Sequence, residues 1–257
     1  MNMATYKKRG AKKSITPSKE NEAVQESTTA EVFETLDTTA NKTEEWVVRY
    51  QNVILSFIGL VAIGVLGYLG YTNFIIKPKA REAVSELNQA QYYFELAVNS
   101  VNSDSLYQRA LVGGEGKYGF LDIIKNYKGT PAAKLATYSA GMAYLNLNEY
   151  ENAITYLDKF SADDVLLSAL AKGAIGDAYA QLGQIDDAFA YYLEASQVSE
   201  NIYSTPKYLY KAAMLGAQNG KIKQAISFLE RIEKEYPKAE EAKFVAVQKG
   251  KLEHMNP

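Results

Sequence analysis

The chain has 257 residues, a net charge of −2 and a pI near 5.7, a balance that offers nucleic acid no broad basic surface. It has no cysteine and one histidine, His254. Disulfide frameworks, thiolate nucleophiles, histidine-based triads and multi-histidine metal sites are therefore excluded.

Residues 1–45 divide into a basic tip, Lys7–Lys19, and an acidic, Ser/Thr-rich stretch, Glu20–Glu45. So few large apolar residues cannot offset the entropy of ordering the chain, and a disordered tail is predicted. The tip is either simply solvated or rests on anionic lipid or ribosomal RNA. Val53–Tyr71, VILSFIGLVAIGVLGYLGY, carries no charge, and the apolar run continues to Ile76. Roughly 20 such residues cross a bilayer core as a helix. Trp46 and Tyr50 precede this run while Tyr68 and Tyr71 close it, as interfacial rings do. The run is too long for the apolar core of a cleaved signal and lacks a small-residue exit, so an uncleaved signal anchor is predicted. The domain scheme is a tail over 1–52, a transmembrane helix over 53–76 and a larger domain over 77–257. Local charge slightly disfavours an internal tail, with Lys42 and Arg49 before the span against Lys77, Lys79 and Arg81 after it. Lacking a signal to export its N-terminus, the chain is expected to keep the tail cytoplasmic and the domain outside. Within the span, Ser56, Gly59, Gly67 and Gly70 fall within about 80° on a helical wheel. Such a face lets a second membrane helix approach closely.

Pro78 suits the first turn of a helix, and Ala80–Val98 is predicted helical, with Ala83, Leu87, Ala90, Phe94 and Ala97 on one face. A short helix over Leu106–Val112 follows. Gly113-Gly114-Glu115-Gly116-Lys117-Tyr118 imitates a phosphate loop, but Tyr118 stands where a Ser or Thr must bind magnesium, and no strand precedes it. A flexible connector is expected instead. Asp163-Asp164 and Asp186-Asp187 lie at predicted helix starts, where carboxylates cap free N–H groups. No catalytic constellation, metal site or cofactor is predicted.

From Lys117 onward the sequence repeats. Gly141, Gly176 and Ala213 recur at spacings of 35 and 37 residues, each followed by an alanine (Ala153, Ala188, Ala225) on a second helix. These residues, and AIGDAYAQLGQIDDAFAYYLEAS above all, resemble the tetratricopeptide repeat, a helix–turn–helix of roughly 34 residues. The resemblance implies an all-α solenoid. Small residues permit close helix crossings, Tyr144, Tyr179, Tyr192 and Phe160 fill the gaps, and Gly183 and Gly220 occupy left-handed turns. Ala80–Tyr127 reads as a degenerate first unit and Lys238–His254 as a polar capping helix.

The family's groove positions fall on Leu135, Tyr138, Met142, Leu145 and Asn146, then Leu170, Asp177 and Gln181, then Lys207, Tyr210, Lys211, Met214 and Gln218. Too few basic and Asn residues are present for a carboxylate clamp. Tyr138/Met142 and Tyr210/Met214 repeat one Tyr–x₃–Met spacing on one helical face, which suits a sequence-tolerant apolar site. Packing inside the array is the alternative for these side chains. Finally, Ala80-Arg81-Glu82-Ala83…Ala90-Gln91-Tyr92 and Gly129-Thr130-Pro131-Ala132-Ala133-Lys134-Leu135-Ala136 resemble the ancillary SecYEG translocon subunit family. That resemblance implies a non-enzymatic, single-span inner-membrane protein with periplasmic repeats. Its implied partners are the SecYEG translocon, a membrane-anchored prolyl isomerase chaperone, emerging secretory polypeptides and membrane lipid. A scaffold of another envelope complex (division, motility or outer-membrane assembly) is the alternative.

Overall fold

The computed structural model describes residues 28–161 and 164–255, with side chains between 46 and 254. The basic tip Lys7–Lys19 and Asp163 lie outside them. Every named element is helical, and the described residues divide into two compact units at the Gly67–Tyr68 boundary.

Helix α1 runs Thr28–Tyr71. Composition predicts an unstructured tail as far as residue 45, but the helix reaches upstream to Thr28. Residues 28–52 contain no Gly or Pro, and extending an existing helix avoids the cost of nucleation. The apolar stretch of α1 is unburied, and the helix is long and apolar enough to cross a membrane. Trp46 and Tyr50 pair at 5.4 Å on the same helix, both exposed. Gly59, Gly64, Gly67 and Gly70 face open space, and Ser56 is exposed beside them.

A π-turn, Thr72–Ile76, follows, closed by the Lys77 N–H donating to the Thr72 carbonyl. Helix α2, Lys77–Val98, takes Pro78 in its first turn as expected, and buries Ala83, Leu87, Ala90, Tyr93 and Ala97. Helix α3, Asp104–Val112, packs back on α2. The Gly-rich connector after it folds as a tight turn closed by an isolated Gly114–Lys117 bridge. Gly113 has φ +86°, Lys117 N–H donates to the Gly114 carbonyl at 3.0 Å, and a Cβ on Gly119 would lie 2.3 Å from the Leu111 carbonyl oxygen. Its glycines thus allow close backbone approach in a tight turn.

Helix α4, Phe120–Asn126, leads into the repeats. Phe94 joins Tyr107 and Phe120 edge-on at 5.6 and 6.0 Å, and the Tyr127 hydroxyl donates to Glu82 at 3.0 Å, fastening α4 to α2. Three helix pairs follow: α5 and α6 (Pro131–Asn146, Tyr150–Asp158), α7 and α8 (Val165–Gln181, Ile185–Gln197), and α9 and α10 (Ser204–Gln218, Ile222–Glu235). Thr130 caps α5 by accepting the Ala133 N–H at 3.2 Å, and Pro131 fills its first position. Asp164 caps α7 by accepting two N–H groups, from Leu166 and Leu167. Asp186 and Asp187 lie in the first turn of α8.

Each pair closes on one device. Asn148, Gly183 and Gly220 have φ of +60°, +74° and +76°. The next residue's N–H then reaches back five residues, from Glu149 to Tyr144, Gln184 to Tyr179 and Lys221 to Gly216, at 2.9, 2.9 and 2.8 Å. This satisfies the last carbonyls of the first helix. The crossings are as tight as predicted. A Cβ on Gly141 would meet Leu157 Cγ at 2.5 Å, and one on Gly176 would meet Tyr192 Cδ1 at 2.7 Å.

Helix α11, Ala242–Met255, packs on α10 through Val245 and Leu252, with Lys249 pairing Glu233 at 2.6 Å. Its free face is less polar than a capping helix is expected to be, because Phe244 and Val247 are 54 % and 59 % exposed.

Candidate partner-binding surface

The first helices of the pairs, α5, α7 and α9, touch one another and form one layer of the array. Tyr138, Met142 and Leu145 on α5 are half-buried against Leu157 and Ile175, with Tyr138 at 5.3 Å from the Phe160 ring. Asn146 is exposed and donates to the Met142 carbonyl. On α9, Tyr210 and Met214 pack against the cluster that α9, α10 and α11 share, and Tyr210 meets Phe244 at 6.3 Å. Gln181 and Gln218 are exposed. The two Tyr–x₃–Met pairs therefore sit partly within the packing and partly at its surface. Leu135 and Leu170 are likewise half-buried, whereas Lys207 is exposed.

Asp177 is more committed than a free groove carboxylate. Its oxygens accept the Lys211 ammonium at 2.6 and 2.8 Å and the Tyr192 hydroxyl at 2.6 Å. This ties α7 to its own second helix and to the first helix of the next pair. Around it stands a column that sequence reasoning missed. Lys207 Nζ lies 5.6 Å from the Tyr208 ring centre, Tyr208 stacks on Tyr192 at 6.4 Å and 14°, and Lys211 Nζ lies 5.5 Å from the Tyr192 ring. Gly173 makes the column possible, because a Cβ there would fall 1.9 Å from Tyr208 Cε1. The available sequence signal was a glycine in mid-helix, where it is otherwise costly by about 1 kcal/mol against alanine.

Burial, then Asp177, pushes the Tyr192 and Tyr208 hydroxyls well above the ordinary phenol range. Burial also raises Tyr138. All three thus remain O–H donors at neutral pH. No group of three or more metal-ligating side chains occurs among the described residues. The arrangement offers hydrogen-bond donors, cations and aromatic faces.

No curated protein matches the chain. The tetratricopeptide repeat family model matches residues 138–202 and again 174–240, from α5 through the end of α10. The paired helices are a tetratricopeptide-type array, a scaffold for protein–protein interaction, carried by a chain with one helix long and apolar enough to cross a membrane.

Proposed function

We propose that this chain is a non-enzymatic, single-pass ancillary subunit of the bacterial SecYEG translocon. Residues 1–52 form a cytoplasmic tail, 53–76 span the inner membrane and 77–257 display the repeat domain in the periplasm. There the array docks a membrane-anchored prolyl isomerase chaperone and holds emerging secretory polypeptides. The observation that carries this reading is the pairing, in one chain, of an unburied apolar helix with a tetratricopeptide-type array. The sequence resemblance over Ala80–Tyr92 and Gly129–Ala136 directs it to the translocon. Tyr138, Met142, Leu145, Asn146, Asp177, Gln181, Tyr210, Met214 and Gln218 supply the partner surface. Ser56, Gly59, Gly67 and Gly70, with open space above the glycines, receive a partner membrane helix.

The test is co-purification of the tagged full chain after mild solubilisation. Translocon subunits together with a prolyl isomerase are the expected companions. Enrichment of division, motility or outer-membrane assembly components instead would replace this reading with the other envelope scaffold.

A further inference from the structure

Contacts between helices fix which edge of the array stands beside the end of the apolar run. Helix α4 runs antiparallel to α2, since Phe120 at its start meets Phe94 while Tyr127, just past its end, bonds Glu82. Pro131 therefore starts α5 beside the first turns of α2. Helix α6 runs back along α5, with Tyr144 stacked on Tyr156 and Tyr138 against Phe160, so α7 starts at that edge too. Helix α9 lies parallel to α7, because Gly173 faces Tyr208 and, further along both, Asp177 bonds Lys211. Glu82 follows Ile76, the end of the apolar run, along unbroken helical backbone in the same compact unit, a rise of roughly 9 Å.

That edge carries large apolar side chains. Val165 and Leu166, which open α7, are exposed, and Ile202 and Tyr203, just before α9, stand at 60 % and 73 % exposure. The second pair is held out by a fully bonded turn. Asn201 Oδ1 accepts the Tyr203 and Ser204 N–H groups, both at 2.8 Å. Its amide donates to the Ser199 carbonyl and the Ser204 hydroxyl, and its own N–H donates to Thr205 Oγ1. None of these bonds uses the Ile202 or Tyr203 side chain. The turns within the three pairs, at the opposite edge, expose Asn148, Gln184 and Asn219 instead.

We propose that this edge rests on the bilayer surface, with Ile202 and Tyr203 entering the headgroup region and Val165 and Leu166 beside them. This rests on the reading of 53–76 as a membrane span, and gives the array a second attachment to lipid. The chemistry suits the boundary: the aliphatic side chains leave water, while the tyrosine ring keeps its hydroxyl among the headgroups. The geometry suits it too, because the apolar side chains gather at the edge beside the end of the apolar run.

The test uses the full chain reconstituted into phospholipid vesicles that hold no other protein. The chain has no cysteine, so Ile202→Cys, Asn219→Cys and Leu60→Cys each take one environment-sensitive dye. Lipids spin-labelled at the headgroup or deep in the acyl chain serve as quenchers. Position 60 should be quenched by the deep label, which establishes the span. Position 202 should shift to the blue and be quenched by the headgroup label several-fold more than position 219. Adding Tyr203→Ser and Leu166→Ser to the Ile202→Cys chain should bring its quenching down towards the level of position 219. Both side chains are exposed and outside the Asn201 bonds, so the melting curve of this variant should stay unchanged. Position 60 quenched with position 202 no different from 219 overturns the edge contact and leaves the span intact, the result expected if this edge docks a protein instead. Undiminished quenching in the serine variant likewise overturns it. No quenching at position 60 overturns the span reading and the edge contact together.

Discussion

Glycine does opposite things at two helical positions in this molecule. At Gly173 the missing side chain is filled by the Tyr208 ring, with 1.9 Å between its Cε1 and where a Cβ would stand. At Gly250, on α11, a Cβ would meet nothing within 4 Å. Gly173→Ala should therefore destabilise by about 1–3 kcal/mol through overpacking. Gly250→Ala should stabilise by roughly 0.5–1 kcal/mol through helix propensity alone. Denaturant unfolding of the two variants checks the sign of each. A neutral or stabilising Gly173→Ala would mean that Tyr208 does not lie across α7. Gly141 and Gly176 belong with Gly173, since their Cβ positions fall on Leu157 and Tyr192. Their repeat spacing announced them, whereas Gly173 has no counterpart in the neighbouring units, where Tyr138 and Tyr210 stand at the equivalent places.

Between elements, a few side-chain bonds fasten helices that lie far apart in sequence. Tyr127 on the end of α4 donates to Glu82 on α2, and burial followed by Glu82 pushes its hydroxyl from 10.0 up to about 12. The folded form thus holds this proton more tightly than the unfolded chain. Its contribution is complete below pH 10 and is lost as pH rises towards about 12. Tyr127→Phe should be less stable than wild type at neutral pH, but should lose less melting temperature between pH 9 and roughly 11.5. Thermal melts across that window check it, and parallel curves for the two proteins would refute the linkage. The order of helices was legible because small residues recur at fixed spacing, and so were Pro78 and the acidic helix starts. The left-handed turn at Asn148 was less visible, since asparagine tolerates that conformation without demanding it. The tyrosine pairs show the same limit. Tyr144–Tyr156 and Tyr179–Tyr191 stack at 5.3 Å in consecutive units, while in the third Gly216 and Phe228 stand there and Phe189 fills the gap. Repeat spacing pointed to Tyr144 and Tyr179, but only packing shows their partners and the exchange. The Asp177–Lys211–Tyr192 bond escaped because repeat spacing tells which helices adjoin, not which polar side chains meet between them.

At the scale of the whole chain, the proposed topology puts the two ends of α1 in different compartments. The absence of cysteine allows a clean test. Single cysteines at Ser27, outside the described residues, and at Ser199, between α8 and α9, should label oppositely with a membrane-impermeant thiol reagent in intact spheroplasts. Labelling should occur at Ser199 and be withheld at Ser27, and the reverse pattern would overturn the orientation and the translocon reading together.

Trp46 gives the chain a separate optical handle. It is the single tryptophan, exposed on α1 just ahead of the apolar stretch, and the repeat array that follows holds tyrosine and phenylalanine but no tryptophan. Red-edge excitation therefore reports on Trp46 alone. Nine of the 20 tyrosines lie on α5–α10, where the Tyr192–Asp177 bond places a proton acceptor on one ring. Bilayer insertion and unfolding of the array can accordingly be followed in a single cuvette, in two colours, without adding a dye.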